Sequence, residues 1–168
     1  MKTILITTIF CAFAGLVQAQ EVTKAAAQLE PKSGSKVTGT VTFTKVGDEV
    51  QVVADIQNLT PGKHGFHIHE KGDCSAPDAA SAGAHFNPTM KHHGGPMTLE
   101  HHAGDLGNIT ADASGKAHLD WKGNLSLNGK DSIIGRSVVV HEKEDDLKTD
   151  PSGNSGARIA CGAINAAD

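Results

Sequence analysis

Residues 37–46 (VTGTVTFTKV) put Val37, Gly39, Val41 and Phe43 on one side of an extended chain and Thr38, Thr40, Thr42 and Thr44 on the other. Successive side chains of a strand point to opposite faces, so this period of two predicts a half-buried strand. Gly47-Asp48 is a turn signal, and 49–59 (EVQVVADIQNL) alternates again through Val50, Val52, Ala54 and Ile56, completing a hairpin. Further strands are predicted at 25–30, 64–70, 117–121, 124–127, 133–141 and 157–164, separated by Gly, Asn, Asp and Ser clusters. Short strands joined by turn chemistry imply an all-β antiparallel sandwich or barrel. The segments 71–108 and 142–156, rich in Gly, Pro, Asp and His, break the pattern. Loops of that length in a compact domain are usually functional or disordered, and their unusual chemistry favours function.

The first 19 residues stand apart. Lys2 is followed by a nearly unbroken apolar stretch from Ile4 to Val17, and Val17-Gln18-Ala19 ends it with small residues. This is the pattern of a secretory signal cleaved after Ala19, leaving one domain at 20–168. The apolar stretch is short for a bilayer span, and no later segment is apolar enough for a membrane partner. The whole chain has 15 basic and 19 acidic residues, and the signal carries one of the former. The remainder therefore has 14 against 19, a net charge of −5 with neutral histidines. Phosphate contacts need clustered cations, and with no Tyr and only Trp121 there are few platforms for base stacking, so no nucleic-acid partner is expected. Removing the signal also leaves two cysteines, Cys74 and Cys161, which in an exported protein read as one disulfide.

All ten histidines fall between positions 64 and 141. His67 and His69 form an H-x-H pair on one face of a predicted strand, close enough to converge on one metal, though the motif alone is weak. His85, His93, His102 and Asp105 lie in the Gly/Pro-punctuated loop, and three imidazoles with one carboxylate suit tetrahedral zinc. A loop with so little apolar content gains a reason to be ordered from a metal. His141 ends the strand Val138-Val139-Val140. Seven candidate residues serving two four-coordinate metals leave one bond to be made by a bridging imidazole, and spacing does not say which.

The motifs GFHIHEKGDC (65–74), AGAHFNP (82–88), HGGP (93–96), HAGDLGNI (102–109), GRSVVVHEKEDDL (135–147) and GNSGARIACG (153–162) resemble, in order, those of copper,zinc superoxide dismutases. The resemblance covers 37–165 and implies an eight-stranded antiparallel Greek-key barrel or sandwich with two long functional loops. It implies one copper per subunit, held by His67, His69, His85 and His141, and one zinc, held by His85, His93, His102 and Asp105, with His85 as the bridge. It matches Cys74 and Cys161 to the family disulfide, and Asp145 to a carboxylate linking a copper ligand to a zinc ligand. Arg158 matches the arginine that guides superoxide to copper, and His64 a histidine that ties loop to barrel. The reaction implied is disproportionation of superoxide to dioxygen and hydrogen peroxide, with Arg158 and His85 as the catalytic side chains.

His92, His101 and His118 match no family role and are expected at the surface. From Asp145 to Arg158 the chain runs only 13 positions, and DPSGNSGAR looks like the secreted bacterial forms. The expected location is therefore secreted or periplasmic, with Lys143 and Lys148 as candidate steering cations. The resemblance allows a homodimer, and the lengthened stretch from Cys74 to His85 falls where the family makes that contact. An exported copper- and zinc-binding protein without turnover is the alternative; every matched position is intact, which favours the enzyme.

Overall fold

A computed structural model describes residues 21–167; the expected signal segment lies outside them. The elements are β1 (Lys24–Pro31), β2 (Thr38–Val46), β3 (Glu49–Gln57), β4 (Gly62–His69), β5 (Asp105–Ala111), β6 (Ala117–Gly123), β7 (Ser137–His141), β8 (Arg158–Ala163) and the two-residue β9 (Asn165–Ala166). A single 3-10 turn at Ala80–Ala82 is the one helical element among the described residues.

The strands run in the order β2-β3-β6-β5-β4-β7-β8-β1, and β1 pairs back onto β2, so eight antiparallel strands close on themselves. Two seams are thin. β5 meets β6 through the single pair Ala111↔Ala117, and β8 meets β1 through Glu30↔Cys161 and Pro31↔Ala160. The barrel is therefore flattened into two four-stranded layers packed face to face. Val41, Phe43, Val52 and Ala54 from one layer meet Phe66, Ile68, Ile109, Val138 and Val140 from the other in one core. The alternation in β2 places its threonines outward as predicted, with Val41 and Phe43 inside.

β4 and β7 differ from the rest. Both of their faces are covered over His64–His69 and Ser137–His141. Phe66, Ile68, Val138 and Val140 point into the core. With a period of two, His67, His69, Val139 and His141 must point the other way, beneath the long loops. The register sets His67 opposite Val139 and His69 opposite Ser137.

Two strand expectations need correction. Residues 124–127 form no strand; Ser126 makes one isolated bridge to Ser132. The run 133–141 becomes strand only from Ser137, because Gly135 turns the chain at φ 78°. The eighth long strand is instead β5, which begins inside the segment expected to be loop. Its partner is β4, paired from Gly62↔Ala111 to His67↔Asp105 across a bulge.

Cys74 and Cys161 are bonded, with Cα atoms 5.7 Å apart, tying the loop after β4 to β8. Cys161 is fully buried among Ala79, Ala82 and Val139. A cross-link spanning 87 positions stabilises by about 4–5 kcal/mol on the chain-entropy model. Replacing both cysteines by serine should lower the unfolding free energy by up to about that amount. Urea denaturation of the two proteins checks this; unchanged midpoints would show the bond to be dispensable.

Candidate metal centre

The rings of His67, His69, His93 and His141 are each oriented by a hydrogen bond on one nitrogen, which leaves the other nitrogen free. On β4, His67 Nε2–H donates to Asp145 Oδ2 at 2.7 Å, and its Nδ1 is buried without a partner. His69 Nδ1–H donates to the Gly83 carbonyl at 2.9 Å, which turns Nε2 inward. His141, at the end of β7, donates Nδ1–H to the Gly156 carbonyl at 3.2 Å, and its Nε2 lies 3.4 Å from that of His69. His85 completes this group; its Nε2 is the second buried nitrogen without a partner. Two basic nitrogens facing each other without a proton between them repel, so this arrangement asks for a cation.

The second group shares His85 through its other nitrogen. His85 Nδ1 is 2.8 Å from Asp105 Oδ1, His93 Nδ1 is 3.1 Å and His102 Nδ1 is 3.3 Å from the same oxygen, and the His85 and His102 Nδ1 atoms are 3.5 Å apart. His93 Nδ1 is not aligned for a hydrogen bond despite its proximity, and it is the third buried nitrogen without a partner. A tetrahedral zinc with ligand bonds of about 2.0 Å needs donors about 3.3 Å apart. The four measured edges bracket that value. Three imidazoles and a carboxylate are the donor set zinc takes, and four imidazoles suit copper, so both groups fit. Counting bonds required one bridge, and His85, the only member common to both groups, has the geometry for it.

Asp145 ties the two groups together. Its Oδ2 accepts from His67 and its Oδ1 from His93 Nε2–H at 2.9 Å, so one carboxylate fixes a ring in each group. Outer partners of this kind set the tautomer and ring direction of a metal ligand. Gly153 (φ 62°) packs directly against that carboxylate and His93, where a Cβ would collide with both.

Two residues with contacts to the site, Asn108 and Asp150, were not singled out from the sequence, and neither was the second role of Asp105. Asn108 grips the main chain of Asp145: its Oδ1 accepts from the Asp145 N–H at 2.8 Å and its Nδ2 donates to the Asp145 carbonyl at 2.9 Å. Asp150 accepts the His93 N–H at 2.7 Å. Asp105 Oδ2, turned away from the rings, accepts the N–H groups of His102 and Gly94. Asn108 stood inside a quoted motif, so only its contact was hidden; Asp150 carried no signal beyond its place in DPSGNSGAR.

Among the remaining expectations, His64 is buried and joins β4 to the chain on either side through the His141 carbonyl at 2.9 Å and the Thr60 carbonyl at 2.8 Å. His92 and His118 are exposed, paired with Asp150 and Asp55, whereas His101 is half-buried. Arg158, half-buried at the start of β8, donates to the carbonyls of Ala79 and Gly83, both at 2.7 Å. Gly83 thus accepts from the arginine and from His69 together. Lys143 and Lys148 are exposed on the second loop.

Burial holds the imidazoles of His67, His69 and His141 well below the usual histidine range, His67 at about 4 despite its bond to Asp145. They are neutral near pH 7, with lone pairs ready for a metal. Burial also disfavours charge on His93, but Asp105 and Asp145 outweigh it and raise that ring to about 10. Burial raises Asp105 and Asp145, yet the His85 hydrogen bond and the adjacent His93 ring hold the first, and hydrogen bonds from His67 and His93 hold the second, well below the carboxylate range.

The stability of the metal-free chain follows from these directions. Below the unfolded histidine value of 6.5, the unfolded chain binds more protons at His67, His69 and His141, so stability falls on acidification towards pH 4. For His93 the folded state holds the extra proton, and its contribution is lost as pH rises from 6.5 towards 10. Thermal melts of chelator-treated protein at pH 5, 7 and 9 should therefore show the highest Tm at pH 7; a monotonic trend would contradict the assignment.

Residues 37–164 match the family model for copper/zinc superoxide dismutase. An extracellular Cu-Zn superoxide dismutase of Caenorhabditis elegans is 43% identical over 157 residues, 87% of this chain and 71% of that protein. One of Brugia pahangi is 46% identical over 138 residues (76% and 69%), and one of Drosophila melanogaster 48% over 139 (77% and 76%). Among solved structures, the clock protein EA4 superposes with a TM-score of 0.82 at 41% identity, covering 89% of this chain and 98% of that one. With a family match over most of its length and two donor groups that fit one copper and one zinc, the chain belongs to the copper/zinc superoxide dismutase family.

Proposed function

We propose that copper is held by His67 Nδ1 and by Nε2 of His69, His85 and His141, and zinc by Nδ1 of His85, His93 and His102 with Asp105. The observation that carries this reading is the trio of buried ring nitrogens without partners, one in each group and one on the ring they share. The reaction is the disproportionation of two superoxide anions and two protons to dioxygen and hydrogen peroxide. Bound copper supplies the one-electron chemistry, while zinc, which has no redox role, fixes the far side of the shared ring.

The chain's own residues do the rest. Arg158, held by two carbonyls, presents a permanent positive charge one hydrogen-bonded carbonyl away from His69. It draws the anion in and holds it. His85 takes a proton at Nε2 when that nitrogen is free and returns it to the reduced oxygen species; with Nδ1 engaged beside Asp105, Nε2 is the only site where it can do so. Asp145 and the Gly83 and Gly156 carbonyls keep the other rings aimed, while burial keeps His67, His69 and His141 neutral.

The protein is secreted, as its extracellular relatives and its disulfide support. Export rests on a signal at 1–19 cleaved after Ala19, leaving the dismutase domain at 20–168.

Reconstitution with copper and zinc, followed by metal analysis and a superoxide assay, tests the assignment. His141→Ala should lose copper and activity while retaining zinc; an active variant would overturn it. Arg158→Gln should keep both metals and lower the rate constant by on the order of 10-fold, within the range known for electrostatic steering generally, this enzyme class included. Its salt dependence should also flatten between 10 and 150 mM, conditions that change the Debye length from about 30 to about 8 Å.

A further inference from the structure

Seven asparagines occur in the chain, and three head the tripeptide Asn-x-Ser/Thr with a residue other than proline between: Asn58-Leu-Thr60, Asn108-Ile-Thr110 and Asn124-Leu-Ser126. In a chain that crosses a eukaryotic secretory pathway this tripeptide accepts an N-linked oligosaccharide, which must end on the surface. Asn87-Pro-Thr89 is excluded by its proline. The structure separates the three.

Asn108 is half-buried in β5, and both ends of its carboxamide hold the main chain of Asp145. A sugar on Nδ2 would have to share the space where this amide meets the second loop, next to the carboxylate that orients His67 and His93. Asn124 is the opposite case. It is exposed in the turn after β6, where the Leu125 N–H bonds back to the Gly123 carbonyl, and its side chain makes no hydrogen bond among the described residues. It stands on the rim of a surface cleft also lined by Trp121 and by Met97, which is 89% exposed. Asn58 is exposed in the turn after β3 at φ 65°, a left-handed conformation that asparagine tolerates well. Its Nδ2 donates to the Lys36 carbonyl at 3.0 Å, and a glycosylated amide keeps one N–H for that bond. Neither Asn58 nor Asn124 belongs to the metal groups, and neither lies on the strands that carry them.

We propose that Asn58 and Asn124 carry N-linked glycans and that Asn108 stays bare in the active enzyme. The proposal rests on the secreted reading above. A glycan at Asn124 would also cover the cleft beside Met97 with hydrated sugar, masking exposed apolar surface.

The full chain is expressed in a eukaryotic secretory host, and active enzyme from the medium is digested with an amidase that removes N-glycans and converts the acceptor Asn to Asp. Peptide mass mapping should find Asp at 58 and 124 and unmodified Asn108. Asn58→Gln and Asn124→Gln should each remove one glycan and leave superoxide turnover at the wild-type level. Secreted, active enzyme that is bare at either position overturns the assignment of that position, and a glycan on Asn108 overturns the selection argument. A chain that remains in the cytosol overturns the secreted reading, and this proposal with it, so the two failures are told apart by where the enzyme is found.

Discussion

A buried polar atom left without a hydrogen bond costs about 1–3 kcal/mol, and the centre of this protein holds three of them, on His67, His85 and His93. Ordinary cores avoid such atoms. Here the surrounding contacts enforce them, because every alternative use of these rings is blocked by a bond on the opposite nitrogen or by a neighbouring donor atom. Two cations relieve the cost at once, and His85 belongs to both solutions. Seen this way, the long loop between β4 and β5 is ordered around its ligands more than by its own apolar content. Met90, Met97 and Leu99 within it face solvent, each about nine-tenths exposed. The coupling of metal to loop order is therefore the central constraint on the fold outside the barrel.

The barrel's part is to supply a rigid floor. Strand alternation sends Phe66, Ile68, Val138 and Val140 into the core and His67, His69 and His141 to the other side. The ligand positions are thereby fixed by the same packing that holds the two layers together. Asp145 then joins floor to loop, and Asn108 on β5 joins Asp145 back to the barrel. A displacement of the second loop would disturb both metal groups together.

How much of this could be read beforehand depended on the kind of signal each element carries. β2 and β3 are exposed on one face, so their alternation is plain in the residues. β5 is not: it opens with Asp105-Leu-Gly-Asn, whose polar members are occupied by the site, and no apolar period survives. The stretch 124–127 had the composition of a strand, but it follows Gly123 and folds into a turn with no partner strand to pair with. The two ligand groups were visible as clusters, the bridge only as an arithmetic need. Choosing between His92 and His93, or His101 and His102, required the family motifs. The geometry agrees, since His92 is exposed and His93 buried. Asp150 could not be read from composition, because its role is a contact across 57 positions.

An acidic chain that attracts an anion needs its one decisive cation held in place, and the disulfide bears on this. Cys161 and Arg158 lie on the same strand, three positions apart. Cys74 anchors the loop whose Ala79 and Gly83 carbonyls grip the guanidinium. Gly83 in turn receives the His69 N–H. One covalent bond thus sets the loop that positions both Arg158, the proposed charge partner of the substrate, and His69, a proposed metal ligand. Within about a Debye length, roughly 8–10 Å, such a fixed local charge outweighs a diffuse net charge of the opposite sign. On the role proposed for Arg158, the acidity of the molecule as a whole is compatible with an anionic substrate, because the field near the centre would be set by that guanidinium and the carbonyls that hold it.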